Sequence, residues 1–246
     1  MRQLYEKWHD HPYHPHIHWA IFVGLSLALS FSIINAINIT YLGVPEVASA
    51  QTVGLVASYS FDEGAGTTAA DSSGNNNTGT LVNGPTWATG KIGQAVGLDG
   101  VNDYISVPNL GSKISNAGGS IVAWIYHRTN GGYIYNAQSG NDPQFYIDSN
   151  GNGLTLSSRS GFGQAMSEYI LLNRWYQVAG TWDGTGNCDM YINGVQSNDN
   201  SCSSFSIAPS GDVRFGTVLN GNLDEVRVYN RALSTDEITR LYNMGK

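Results

Sequence analysis

The chain has 246 residues, 12 basic against 19 acidic, a formal charge of −7, and only 13% charged residues beside 41% hydrophobic. That length suits one or two domains at roughly 150 residues each, and the apolar fraction is too high for a disordered chain. The acidic balance argues against nucleic acid, whose binders need a clustered basic face. Thirty glycines with few charges fit short strands joined by many turns, and do not fit long salt-bridged helices.

Residues 1–18 hold five closely spaced histidines, His9, His11, His14, His16 and His18. Neutral imidazoles can ligate a metal; the plainer reading is a cytoplasmic tail whose fixed positive charges are Arg2 and Lys7. Residues 19–44 carry no charge and exceed the about 20 residues that cross a bilayer. Behind Pro45, Ala48 and Ala50 form an A-x-A pattern, so 45–54 reads as a linker with a cleavage site after Ala50. Two readings stand, a cleaved signal peptide and a membrane anchor helix. Both leave 55–246 secreted or on the cell surface.

From Leu55 onward, short apolar or alternating runs lie between clusters of Gly, Asn, Asp and Ser. The predicted strands are 55–61, 80–82, 95–98, 104–107, 121–126, 133–136, 145–147, 154–157, 175–182, 189–192, 195–197, 213–215 and 223–229. So many short strands predict an all-β domain, a two-sheet antiparallel sandwich or jelly roll. Residues 121–125 are apolar on both faces, as in a central strand covered on both sides. Asn193-Gly194 is the strongest hairpin signal, because both residues tolerate the positive φ of a type I′ turn. Cys188 and Cys202 bracket that hairpin. In an exported chain a bridge is expected, worth about 3 kcal/mol for a loop of about 15 residues, with two inert thiols as the alternative. Ser234 and Glu237 form a capping box that opens one short C-terminal helix, with Ile238, Leu241 and Tyr242 on one face and Gly245 as its stop.

The densest polar run is residues 71–79, from Asp71 through Ser73, Asn75 and Asn77 to Gly79. Such a loop offers the oxygens that a calcium ion gathers in sets of six to eight. Far along the chain, strand alternation puts Asp224 on one face with Val226 and Val228, and Glu225 with Leu223, Arg227 and Tyr229. A carboxylate in line with valines needs a partner, and a calcium brought by the Asp71 loop would serve. The alternative is an Asx-turn at Asp71 and amide capping at Asp224. Asp148 to Gly153 fits the first half of an EF-hand loop, but Arg159 stands where the bidentate glutamate is required, so a β-turn explains it.

Several ordered motifs together resemble one family. Residues 59–75 (YSFDEGAGTTAADSSGN), 98–104 (LDGVNDY), 175–184 (WYQVAGTWDG), 191–194 (YING) and 223–234 (LDEVRVYNRALS) are similar to bacterial laminin-G-like jelly-roll domains of the concanavalin A-like superfamily. The resemblance spans nearly all of 55–245. It implies two stacked antiparallel sheets, often with one structural calcium near the chain ends. By position the implied ligands are Asp71 with the 73–77 loop, and Asp224, with Asp62 a weaker candidate. The implied role is binding of glycans, cell-surface polymers or proteins.

Relatives on this superfamily fold that hydrolyse β-glucans carry paired glutamates on one strand. Here Asn222 stands where the first should be, and Val226-Arg227 follow instead of the second. No H-E-x-x-H and no G-x-S-x-G is present. The reading is therefore a non-catalytic, lectin-like surface domain, with an adhesive or structural protein-binding domain as the alternative. Sugar binding uses aromatic faces beside polar groups, and the candidates are Trp87, Tyr133, Tyr135, Phe162, Tyr169 and Trp182; Trp124 and Trp175 sit in apolar strands and read as core.

Overall fold

The computed structural model describes residues 52–246 apart from 139–142, 150–152, 159–163, 167–169, 198–206 and 208–209, and the backbone alone for 164–166. The tail, apolar stretch and cleavage site of residues 1–50, the tip of the Asp148 turn, Phe162, Tyr169 and Cys202 lie outside the described residues.

In chain order the strands are β1 (Leu55–Tyr59), β2 (Thr68–Ala69), β3 (Gly79–Val82), β4 (Thr86–Thr89), β5 (Gln94–Asp99), β6 (Tyr104–Val107), β7 (Gly118–His127) and β8 (Gly132–Ala137). They continue as β9 (Pro143–Ile147), β10 (Leu154–Ser158), β11 (Gln164–Met166), β12 (Trp175–Asp183), β13 (Cys188–Ile192), β14 (Val195–Gln196), β15 (Val213–Phe215) and β16 (Asn220–Tyr229), before helix α1 (Thr235–Met244). One antiparallel sheet runs β14-β13-β12-β7-β16-β5-β4, with β1 also paired to β16; the other runs β11-β10-β9-β8-β15-β6-β3-β2. Each predicted strand is present. Three further strands, β2, β4 and β11, are short and carry no apolar alternation of their own, so only their pairing partners make them strands.

One main core fills the space between the sheets. Ile121, Ala123 and Ile125 of β7 meet Ile134, Phe145 and Leu156 of the facing sheet. Tyr59, Tyr135 and Phe215 form an edge-to-face chain with ring centroids 5.5 and 5.7 Å apart. The prediction for 121–125 holds on both faces, since Val122 and Trp124 turn outward and are still buried, Val122 in a second cluster with Tyr229, Leu233, Ile238 and Leu241. Trp124 stacks on Tyr242 of α1 at 5.7 Å. The capping box is made in full: Ser234 accepts from the Glu237 amide and the Glu237 carboxylate accepts from Ser234 N–H. Glu237 is further gripped by Arg231 at 2.7 Å. Asn193 and Gly194 have φ of 53° and 78°, and Ile192 pairs with Val195 across them. Asp148 N–H donates to Gly153 O at 2.9 Å, as a turn joining β9 to β10 requires.

Two bulges decide which side chains face where. On β16, Glu225 and Val226 together oppose the single residue between Val122 and Trp124 of β7, and Glu225 takes φ 48°. Strict alternation is thereby corrected: Leu223, Val226 and Val228 face the core, while Asp224 pairs with outward Trp124 and leaves the valines' face. On β8, Tyr133 pairs with Tyr146 and Tyr135 with Phe145, so Ile134 is the extra residue and the two tyrosines part to opposite faces.

Candidate functional site

No described helix lies over the outer face of the second sheet, which is polar from strand to strand; at its β10 end Thr155 and Ser157 are buried, and from β9 to β6 the outward residues are half-buried. Cross-strand pairs link Ser157 to Gln144, Gln144 to Asn136, Asn136 to Arg214, Arg214 to Ser106 and Ser106 to Thr80. These side chains alternate along their strands with core residues such as Phe145, Ala137, Val213 and Ile105. Beside this ladder stands a row of tyrosines. Tyr133 and Tyr146 meet at 5.3 Å with ring planes tilted by 51°, and Tyr104 lies under Arg214, whose Cζ is 4.4 Å from the ring centroid. All three rings are half-buried, so each keeps solvent-facing surface. Gln144 Nε2 donates to Asn136 Oδ1 at 3.2 Å, which fixes both amides. The face thus offers amides, a guanidinium and hydroxyls beside aromatic faces, the set that holds a ligand apolar on one side and hydroxylated around its rim. Among its described strand positions it carries no carboxylate, thiol or imidazole to act as nucleophile or general base.

Of the predicted aromatics, Tyr133 is on this face. Tyr135 and Trp182 are corrected: at 0% and 1% exposed both are core, Tyr135 because of the β8 bulge and Trp182 because it packs against Gly119, where a Cβ would come within 2.1 Å of its ring. Trp87 lies on β4 in the other sheet, half-buried against the main core, with Nε1 donating to Gly66 O at 3.1 Å. Tyr104, Tyr146 and Arg214 escaped the sequence reading. Their signal was alternation with core residues inside predicted strands, which marks an outward face without saying whether anything covers it. A second concavity, of about 270 Å³, lies at the β4–β5 edge of the first sheet and is lined by Thr86, Asp99, Asp103, Arg128 and Asn222. Arg128 there donates to Asn222 Oδ1 at 2.9 Å and leans on the Tyr126 ring.

The predicted metal ligands fall at two different turns. Asp71 accepts from the amides of Ser58, Ser73 and Asn77 at 2.8–2.9 Å and lies 2.8 Å from the Ser73 hydroxyl. Burial works to raise its pKa but is outweighed by these donors, which hold it below the usual carboxylate range. Ser73 Oγ and Asn77 Nδ2 donate to Val56 O, and Asn75 Nδ2 donates to Leu55 O. The loop therefore sews itself to β1, closing a strand edge. Asp224, fully buried, accepts from the Lys91 and Ile92 amides at 2.9 and 3.0 Å, while its Oδ1 has no hydrogen-bond partner among the described residues. Burial pushes its pKa up to about 7. Asp62 reaches the other end of that same turn, accepting from Gln94 N at 2.8 Å. The structure thus brings Asp62 and Asp224 to one turn and gives Asp71 a separate set of partners. Among the described residues no group of three or more His, Cys, Asp or Glu is arranged for a metal. Both Asp71 carboxylate oxygens are taken up by donors, whereas Asp224 keeps one oxygen without a hydrogen-bond partner among the described residues. Cys188 is buried at the start of β13, and its predicted partner Cys202 is outside the described residues.

Two stacked antiparallel sheets, one with a helix packed on its outer face and the other with a polar outer face over which no described helix lies, define a lectin-like jelly-roll sandwich. The chain belongs to the concanavalin A-like lectin/glucanases superfamily, whose laminin-G-type family model matches residues 99–239. No curated protein matches the sequence. Among solved structures it is similar to domain 4 of AbnA, an extracellular arabinanase of Geobacillus stearothermophilus, in complex with arabinotriose. The identity is 24%, with 76% of this chain and 98% of that domain covered and a TM-score of 0.60. It is also similar to the binding domain of Paraclostridial Mosquitocidal Protein 1 (21% identity, 78% of this chain and 52% of that one, TM-score 0.64). A third is the binding domain of botulinum neurotoxin DC in complex with rat synaptotagmin II (18%, 79% and 52%, TM-score 0.62). The chain spans about half the length of those two toxin domains. At these identities the likeness is one of fold.

Proposed function

We propose that this is a non-catalytic, exported carbohydrate-binding domain and that the open face of the second sheet is its binding surface. The observation that carries the reading is the Tyr133–Tyr146 pair, both rings half-buried, beside the Asn136, Gln144 and Arg214 ladder on a face over which no described helix lies. The solved arabinanase domain holds arabinotriose, and a neurotoxin of type C depends on two ganglioside molecules for cell entry, so sugars are ligands of this fold in relatives. The test is a glycan array followed by calorimetric titration of the best ligand. Tyr133→Ala and Tyr146→Ala each lower affinity about tenfold or more while the melting temperature stays near wild type. Glycan retention unchanged in both variants would move the site elsewhere; no glycan bound at all would favour the protein-binding alternative, the mode seen in the neurotoxin DC complex with synaptotagmin II.

A structural calcium belongs to this proposal, at the Gly90–Gln94 turn. Its support is the convergence of Asp62 and Asp224 there, with one buried Asp224 oxygen free of hydrogen bonds among the described residues. The sign of the pH effect tests it. With a folded pKa of about 7 against about 3.9 unfolded, Asp224 without a cation loses the protein stability as pH rises from about 4 to about 7. In chelator this slope is present and Asp224→Asn removes it; calcium flattens it in the wild type. Thermal melts that are identical with and without calcium across that range would remove the ion from the proposal. Export through residues 19–44 and a Cys188–Cys202 bridge complete the reading, and N-terminal sequencing and non-reducing mass spectrometry of the secreted protein test them.

A further inference from the structure

We propose that the open face selects acidic saccharides, with the Arg214 guanidinium receiving a sugar carboxylate. The inference rests on the reading of that face as a glycan site and adds the ligand's charge class. The chain as a whole is acidic, with 19 carboxylate residues against 12 basic ones, yet among the described strand positions turned to this face Arg214 is the single one that is charged at neutral pH. Arg214 sits on β15, in the middle of the sheet, between Asn136 on β8 and Ser106 on β6. No hydrogen bond or ion pair joins its side chain to another described residue; its contact is the Tyr104 ring, 4.4 Å from Cζ. Elsewhere the protein treats its arginines differently: Arg227 and Arg231 are paired to Glu225 and Glu237 at 2.7 Å, and Arg128 is bonded to Asn222.

The nearest carboxylate along the strand, Asp212, accepts from Asn109 N at 3.0 Å. Because β6 runs antiparallel to β15, Tyr104 lies toward the opposite end of β15 from Asp212, so the guanidinium leans away from it. A guanidinium flat on a ring keeps its in-plane N–H groups available, and its fork matches a carboxylate through two parallel hydrogen bonds. Two strand steps, about 10 Å, separate β6 from β8. Tyr104 and Tyr133 therefore stand either side of β15 with Arg214 between their strands, which suits stacking on a saccharide at two places and a charged contact between them. In a net acidic protein, one guanidinium on a face otherwise without charge favours an acidic ligand there, which makes this arginine a specificity element.

The experiment is a glycan array on which each neutral backbone is printed beside its uronate-bearing counterpart, probed with wild type, Arg214→Gln and Tyr133→Ala. Expected is a preference of about tenfold or more for the carboxylate-bearing member; in Arg214→Gln the ratio of the two signals falls to about one, while in Tyr133→Ala both signals weaken and the ratio stays. Arg214→Lys, which keeps the charge and loses the fork, recovers part of the preference. Equal signals for both members, unmoved by Arg214→Gln, would overturn the charge selection and leave the glycan reading standing. Absence of signal from every glycan would overturn both.

Discussion

The two outer faces of the sandwich have the same strand geometry and opposite fates. On the first sheet, Val122, Ala179, Tyr191 and Tyr229 turn outward into a cluster closed by Leu233, Ile238 and Leu241 of the C-terminal segment. On the second, Tyr133, Tyr146, Asn136 and Arg214 turn outward, half-buried, and meet no described helix. The first face gains stability from burial beneath the helix, and its remaining concavity lies at the β4–β5 edge. The second spends half-buried aromatic surface that a purely structural sheet would cover or replace with small polar residues. Exposure of that surface, more than its composition, is what singles it out for the proposed binding role.

The comparison can be broken or sharpened at three levels. The largest effect is expected under the helix, where Leu241→Ala removes a side chain only 2% exposed; we expect a loss of about 2–5 kcal/mol in chemical denaturation, with glycan affinity of the folded protein unchanged. A fall in affinity would mean that the two faces are coupled. A smaller effect is expected at the helix start. Glu237→Gln removes the Arg231 pair and weakens the capping box, costing about 1 kcal/mol at neutral pH. Its pH signature follows from the Arg231 contact, which pulls the Glu237 pKa down to about 2. Its contribution is full above the unfolded value of about 4.3 and is lost as pH falls through 2, so variant and wild type converge in acid. A gap that stays constant down to pH 2 would assign the effect to packing instead. The smallest effect is on the open face, where Ser106→Ala should lie within about 0.5 kcal/mol of wild type in stability. A larger loss would show that this ladder holds the sheet together.

Much of the fold was legible in the residues. The alternation in 104–107, 145–147 and 213–215 marked true strands, because a half-buried sheet needs period two. Ser234-x-x-Glu237 and Asn193-Gly194 specified a helix cap and a turn, because each pattern satisfies backbone amides or positive φ locally, without help from distant residues. The site was legible only in part. Tyr133 could be named from its strand, but Tyr135, two residues on, could not be told from it, and Tyr104 and Arg214 come together only when β6 and β15 pair across more than a hundred residues of chain.

What the sequence by itself determined is therefore the local vocabulary: a β-rich acidic domain, its turns, its helix cap and most of its strands. Tertiary structure decided the faces. One extra residue in β8 and one in β16 reverse the parity of everything beyond them, sending Tyr135 inward and Asp224 out of the valine row. The helix then chose which face to cover, by apolar burial that only the assembled sheet presents. A bulge and a covering helix are set by long-range packing, and no window of neighbouring residues contains that information.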